Sequence, residues 1–293
     1  MLAEISSLGF DHVELGHGIR MSLWEGVERF LADHPLKVTS LHNFCPLPVE
    51  IPGAAPDYYE CTAVRTEVRE RARILTLRTI DFARKLGVRN VVMHLGSTRM
   101  PPYTKRLCEL INSGQYLNRS YIATKLKAIR KREANSPYDR IIDWLKPILE
   151  HAASAGVVLG IENRIGIETC PSEREFRRLF AELGATGYWH DFGHAQIRHN
   201  LTFIDHAEWL REMSSHLIGC HVHDVIFPYL DHQAPFSGMI DFAPLIAAIP
   251  PGIPLVWELS PGATKDEIVS ALAHWKQKFA LLDNSSEAES LCP

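Results

Sequence analysis

Residues 156–163, GVVLGIEN, are a short apolar run, rich in β-branched side chains, that ends on a carboxylate, Glu162. Residues 138–155 before it and 172–183 after it carry apolar side chains at helical spacing. A strand without polar alternation, set between two helices, is the pattern of a parallel sheet covered on both faces.

The alternation extends in both directions. Upstream stand DHVELG (11–16), LKVTSLHNF (36–44) and RNVVMHLGS (89–97). Downstream stand GYWHDFGHA (187–195), LIGCHVHDVI (217–226) and IPLVWELSP (253–261). Helical spacing covers 22–33, 64–86, 138–155, 172–183, 203–216, 241–249 and 264–282. Ser172 before Glu175 and Thr264 before Glu267 read as helix caps, and Gly87, Gly156 and Gly184 stand where left-handed C-caps belong. The chain therefore reads as α/β, a (β/α) TIM-type barrel with seven readable strands, in one domain over 1–282. A doubly wound open sheet is the structural alternative. Met1–Leu8 resembles the tail of an earlier helix, so an eighth strand would have to precede Met1. Either the protein begins upstream, or the barrel lacks its first strand and leaves a gap with exposed strand edges. Residues 97–137 interrupt the rhythm with an excursion that includes the basic helical stretch KLKAIRKRE. Residues 283–293 read as a disordered tail.

Composition bounds the class. With 46% hydrophobic and 23% charged residues, the 293-residue chain can bury a sizeable core. No run is long enough to span a bilayer, and the N-terminus has neither basic nor apolar export signals. Six cysteines without a CxxC pair predict free thiols in a reducing cytoplasm. A net charge of −4 gives no reason to expect nucleic acid or another polyanion as partner.

The chemistry is concentrated where the strands end. Glu14, His42, His94, Glu162, Asp191 with His194, His221 with His223, and Glu258 each close one of the seven strands. A barrel presents that end to its substrate. Buried acids are costly unless paired or bound to a cation, so seven such ends point to a site rather than to packing. Glu162, Asp191, His221 and Glu258 form a mixed oxygen and nitrogen set suited to one divalent ion: Mn²⁺, Mg²⁺, Co²⁺ or Zn²⁺. The alternative is an internal network of salt bridges without metal. Arg164, two residues beyond Glu162, is either an anchor for an anionic substrate group or a surface arginine.

The stretches IEN, HDFGHA, CHVHD with DHQAPFSGMIDF, and WELSPGATKDEI resemble the second half of the xylose-isomerase-like TIM-barrel superfamily. That group includes sugar phosphate isomerases and epimerases such as D-tagatose 3-epimerase, inosose dehydratase and endonuclease IV. The resemblance runs from about Leu8 to about Lys276, and its most specific pieces are D-x-G-H at Asp191–His194 and H-x-x-D at His221–Asp224. It implies that Glu162, Asp191, His221 and Glu258 hold one metal and that Glu162 and Glu258 are the catalytic acid/base pair. It also implies that His194 touches substrate and that a homo-oligomer is one expectation. His42 and His94 match positions that hold a further zinc in endonuclease IV, but lone histidines at strand ends more often line a pocket. His232 follows Asp231 directly, whereas the nuclease spaces that pair as D-x-H, so His232 is expected to meet substrate. Glu14 is expected to bind a sugar hydroxyl or to orient a histidine.

The function expected is isomerisation or epimerisation of a sugar, sugar phosphate or related polyol by proton transfer next to a carbonyl. A metal would act as Lewis acid, and a carboxylate on each face would remove or return the proton. A keto-polyol dehydratase begins with the same step and would use the same residues. An abasic-site endonuclease would need a full three-metal ligand set and a basic surface, for which Lys125–Arg132 is the best support. A non-enzymatic binding protein is the remaining option.

Overall fold

The computed structural model describes residues 1–184 and 186–283. After helix α1 (Leu2–Ser7) come β1 (His12–Leu15), α2 (Trp24–Asp33), β2 (Lys37–His42), α3 (Thr66–Leu86) and β3 (Asn90–Met93). The excursion holds α4 (Tyr103–Asn112) and α5 (Arg119–Ala134) and leads to α6 (Tyr138–Ser154), β4 (Val158–Glu162), α7 (Glu173–Glu182) and β5 (Gly187–Asp191). Then follow α8 (Phe192–Asn200), α9 (His206–Met213), β6 (Leu217–Val222) and the hairpin β7 (Asp224–Ile226) with β8 (Leu230–Gln233). The chain closes with α10 (Phe242–Ile246), β9 (Leu255–Trp257) and α11 (Lys265–Asp283).

Seven parallel strands lie in the order β1-β2-β3-β4-β5-β6-β9, so strands consecutive in the chain are neighbours in the sheet, apart from the inserted hairpin. That sequential order excludes the doubly wound alternative, whose strand order reverses at a switch point. The architecture is a TIM barrel missing one strand. β1 and β9 do not pair, and β9 is only half-buried at each position where β4 and β5 are almost wholly buried. Phe10 and Trp257 meet edge to face across this gap, ring centres 5.5 Å apart.

Trp189 fills the barrel's interior. A Cβ on Gly219 would lie 2.0 Å from its ring, and one on Gly160 3.2 Å, so glycines on the flanking strands make room for the indole. The ring of His221 packs on it at 5.3 Å, one layer nearer the strand ends. The floor of the site is therefore a packed aromatic layer.

Local signals held where side chain and backbone agree. Ser172 and Glu175 form a reciprocal capping box, and Gly87 ends α3 with φ 69°. Gly156 has φ 70°, but Gly184 does not adopt a left-handed conformation, and α7 ends at Leu183 with φ −128° and ψ 77°. Three readings change. HDFGHA is a strand only to Asp191, whose carboxylate caps α8 at once by accepting from the His194 N–H at 2.7 Å. The segment 203–216 is a short α9 followed by a 3₁₀ turn, and the strand read over 217–226 ends at Val222, its last residues entering a hairpin over 224–233. The excursion is two helices, and the basic stretch belongs to the second. The expected tail lies outside the described residues apart from Asp283. No described helix is long and apolar enough to cross a membrane.

Candidate functional site

The strand ends surround a cavity of about 270 Å³. Seven of the residues singled out in the sequence line it: His42, His94, Glu162, Arg164, His194, His232 and Glu258. Glu14, Asp191 and His221 join them through direct contacts. A larger cleft of about 440 Å³ beside α7 contains Arg132 and Arg198, but these are paired with Glu175 and Glu173. The cluster of histidines and carboxylates is at the strand ends.

His221 is the centre of the group. Its buried Nδ1 makes no hydrogen bond among the described residues, yet lies 3.1 Å from Glu258, 3.6 Å from Glu162 and 3.9 Å from Asp191. Donor atoms of Glu162, Asp191 and His221 all fall within 4.8 Å of one another. Glu258 stands outside that tight set and reaches it through His221. A buried nitrogen without a hydrogen-bonding partner, facing three carboxylates, is a donor set that fits a divalent cation.

The histidines are oriented from behind. His221 Nε2 pairs with Glu14 at 3.1 Å, and the Ser40 hydroxyl donates to the other Glu14 oxygen at 2.7 Å. His94 Nδ1 bonds Asp57 at 2.8 Å, His42 Nδ1 the Asn43 carbonyl at 3.1 Å, and His194 Nδ1 the Asn163 carbonyl at 3.0 Å. His232 Nδ1 lies 3.1 Å from Asp231. In each case an oxygen acceptor backs one ring nitrogen and leaves the other facing the pocket, the arrangement typical of metal-binding and substrate-binding imidazoles.

The charges are correspondingly displaced. Burial opposes ionisation of Glu162, but His94, His194 and His42 overcome it and hold the carboxyl well below its usual range. Asp191 is held down in the same way by His194 and His223. Burial opposes a proton on His221, yet Glu258 and Glu14 raise its pKa well above the ordinary value. His232, also working against burial, is raised to about 9 by Asp231, while burial pushes His17 down to about 4. Arg164 spans Glu162 at 3.2 Å and Asp57 at 3.5 Å, so it is tied to two carboxylates rather than left at the surface.

Several contributors were given no role by sequence, although His223 stands among the strand ends and Asp224 in the H-x-x-D piece. His223 reaches Asp191 at 3.0 Å, accepts the His232 N–H at 2.9 Å and stacks on the His232 ring at 4.3 Å. A Cβ on Gly193 would meet the His223 ring at 1.9 Å, which is why the D-x-G-H stretch needs its glycine. Asp224 accepts from the backbone N–H groups of Val225, Gly238 and Ile240 and so pins the hairpin carrying His232. Asn163 grips the main chain of Asp191 at both N–H and carbonyl. The signal for His223 and Asn163 was their place beside Glu162 and His221. Asp57, in an irregular loop, gave none.

A family model described as xylose isomerase-like TIM barrel matches residues 2–278. No curated protein sequence matches the chain. Among solved structures it is similar to a D-tagatose 3-epimerase-like protein, with 15% identity, TM-score 0.67, and 97% of this chain and 94% of that one covered. A 3-keto-D-glucoside 4-epimerase from E. coli gives 17% identity and TM-score 0.65 over 94% and 92% of the two chains. An L-ribulose 3-epimerase gives 16% and 0.62 over 99% and 89%. At these identities the structural likeness speaks for the fold, and together with the family match it decides the assignment: the chain belongs to the xylose isomerase-like TIM-barrel family.

Proposed function

We propose that the protein is a divalent-metal-dependent isomerase or epimerase of a sugar or related polyol, moving a proton at a carbon next to a carbonyl. The observation that carries this reading is the buried Nδ1 of His221, without a hydrogen bond among the described residues, facing Glu162, Asp191 and Glu258. A divalent ion held by these four would supply Lewis-acid polarisation of the substrate's carbonyl.

Glu162 and Glu258 come from β4 and β9, with β5 and β6 between them in the sheet, and approach His221 Nδ1 separately. A carboxylate on each side suits removal of a proton on one face of the carbon and its return on the other. Glu258 is 33% exposed and Glu162 1%, so Glu258 is the better placed to trade protons with solvent. His232, 3.9 Å from Glu258, and the free Nε2 of His194 are positioned to bind substrate oxygens. The epimerases among the similar structures are consistent with this substrate class.

The test is turnover of free ketoses and keto-polyols in D₂O by metal-loaded protein, read by NMR. Deuterium is expected at the carbon next to the carbonyl, with loss of exchange in His221→Ala and after chelation. Release of water with an unsaturated product would assign the dehydratase instead. One observation favours a second reading, phosphodiester hydrolysis by several metals: His42, His94 and Glu162, and also His194, His223 and His232, form two more groups with ligand atoms within 4.8 Å. Elemental analysis finding two or three ions per chain would move the assignment there.

A further inference from the structure

His42 Nε2 and His94 Nε2 lie 3.2 and 3.1 Å from the same oxygen of Glu162. Their outer nitrogens are bound to the Asn43 carbonyl and to Asp57, so once a metal ion displaced the inner protons the inner nitrogens would present lone pairs. Two imidazoles backed by oxygen acceptors and one carboxylate make a competent half-shell for a divalent ion. The group formed by His194, His223 and His232 is weaker. His223 spends one nitrogen on Asp191 and the other on the His232 N–H.

Something already stands in the first of these. Arg164 Nη1 is 3.0 Å from His94 Nε2 and 3.2 Å from the second oxygen of Glu162, while Nη2 is 3.5 Å from Asp57. A guanidinium keeps its charge at any physiological pH. It offers Glu162 a positive partner, lies against His94 Nε2 and repels a second cation at the same place.

We propose that Arg164 limits this pocket to one metal ion by filling, with its guanidinium, the second site that His42, His94 and Glu162 would otherwise make. Its role is thus to set metal stoichiometry. The proposal rests on the metal reading above for the first ion.

The experiment is metal analysis of the full chain after loading with Mn²⁺ or Co²⁺, with calorimetric titration and the Co²⁺ absorption spectrum as readouts independent of turnover. Wild type is expected to hold one ion per chain. Arg164→Gln and Arg164→Met are expected to hold two, the second binding about 10–100-fold tighter than any second ion in wild type, the range of outer-shell effects on metal affinity. Arg164→Lys keeps the charge and should hold one, and His42→Ala added to Arg164→Gln should return to one. Two tight ions in wild type overturn the proposal, and this needs no variant to fold. One ion in the folded Gln and Met variants also overturns it while leaving the first site standing. No ion in wild type or in any variant defeats the metal reading itself.

Discussion

Glu14, at the start of the sheet, bonds Nε2 of His221, on β6, at 3.1 Å and so decides which nitrogen of that ring faces the carboxylates. With Nε2 holding the proton, Nδ1 is left as the donor toward Glu162, Asp191 and Glu258. Glu14 should therefore act on the metal without touching it. Glu14→Ala is expected to weaken metal binding about 10–100-fold, as outer-shell changes do, with little change in thermal stability. Glu14→Gln should recover part of the loss, since its amide oxygen can still accept. Unchanged affinity in Glu14→Ala by calorimetry would make Glu14 a bystander.

The pocket's charge predicts the kind of substrate. Arg164 is the only lysine or arginine lining it among the described residues, and Glu162 and Asp57 already claim it. The loop after β9, where TIM barrels often hold phosphate, uses its own N–H groups: Ser260 to the His232 carbonyl, Gly262 and Ala263 to Ser260, and Thr264 to Glu267. Unphosphorylated sugars should outperform their phosphates by at least about tenfold in kcat/KM, equivalent to about 1.4 kcal/mol. Preference for the phosphate would require an uncommitted lysine or arginine, which the described lining does not offer.

What was legible in the sequence followed from period and position. An apolar strand ending on an acid or histidine gave Glu162, Asp191, His221 and Glu258 their common end of the barrel, because strand direction alone sets it. The helix right after Asp191 was missed because Phe192 and Ala195 extend the apolar run without a break, and the cap that stops the strand is the site residue itself. Sequence alone leaves Arg164 between an anion anchor and a surface arginine because its partner, Asp57, lies 107 positions away in an irregular loop that no periodicity marks. The hairpin was missed for a related reason: Asp224 organises it through three backbone N–H groups, a tertiary act invisible in a local pattern.

A buried chain of hydrogen bonds predicts how stability depends on pH. Asn200 donates to the Pro228 carbonyl, Gln196 to Asn200, and His206 Nδ1 to Gln196, while His206 Nε2 meets His190 Nε2 at 3.0 Å. The carbonyl at one end only accepts, so each donor behind it is fixed, and a single proton lies between the two facing imidazole nitrogens. Tyr188, 2.9 Å from His190 Nδ1 and from the Asn163 amide oxygen, joins the chain to the residue that grips Asp191. Burial depresses His190 from 6.5 to about 3 and holds His206 well below its ordinary value. Below pH 6.5 the unfolded chain takes up protons that the folded chain refuses, so this stability is complete above 6.5 and is lost as pH falls. Unfolding free energies from urea titrations in chelator should drop between pH 7 and 5, by up to about 1.4 kcal/mol per unit for each histidine. His206→Gln should reduce that slope. An unchanged slope in the variant would show that these imidazoles take up protons in the folded state too.

The two glutamates should separate the halves of the reaction. Glu162 is buried and surrounded by His42, His94, His194 and Arg164, all of which favour its charge. A carboxyl held so far toward ionisation is a weak base, and it gives a proton away readily once it has taken one. Glu258 is more open, with His221 at 3.1 Å and His232 at 3.9 Å as its neighbours. Glu258→Gln is therefore expected to lose turnover by about 10²–10⁴ while keeping metal, because the amide oxygen can still bind the ion. Glu162→Gln should lose as much turnover and also bind metal less well, since four cationic or hydrogen-bonding groups then face a neutral amide. Exchange of substrate hydrogen with D₂O measures one face at a time, since a single base can remove and return a proton on its own side. Exchange surviving in one variant and absent in the other names the glutamate that starts the reaction for that substrate. Full turnover in both variants, with metal retained, would leave the ion site intact and remove the two-base mechanism.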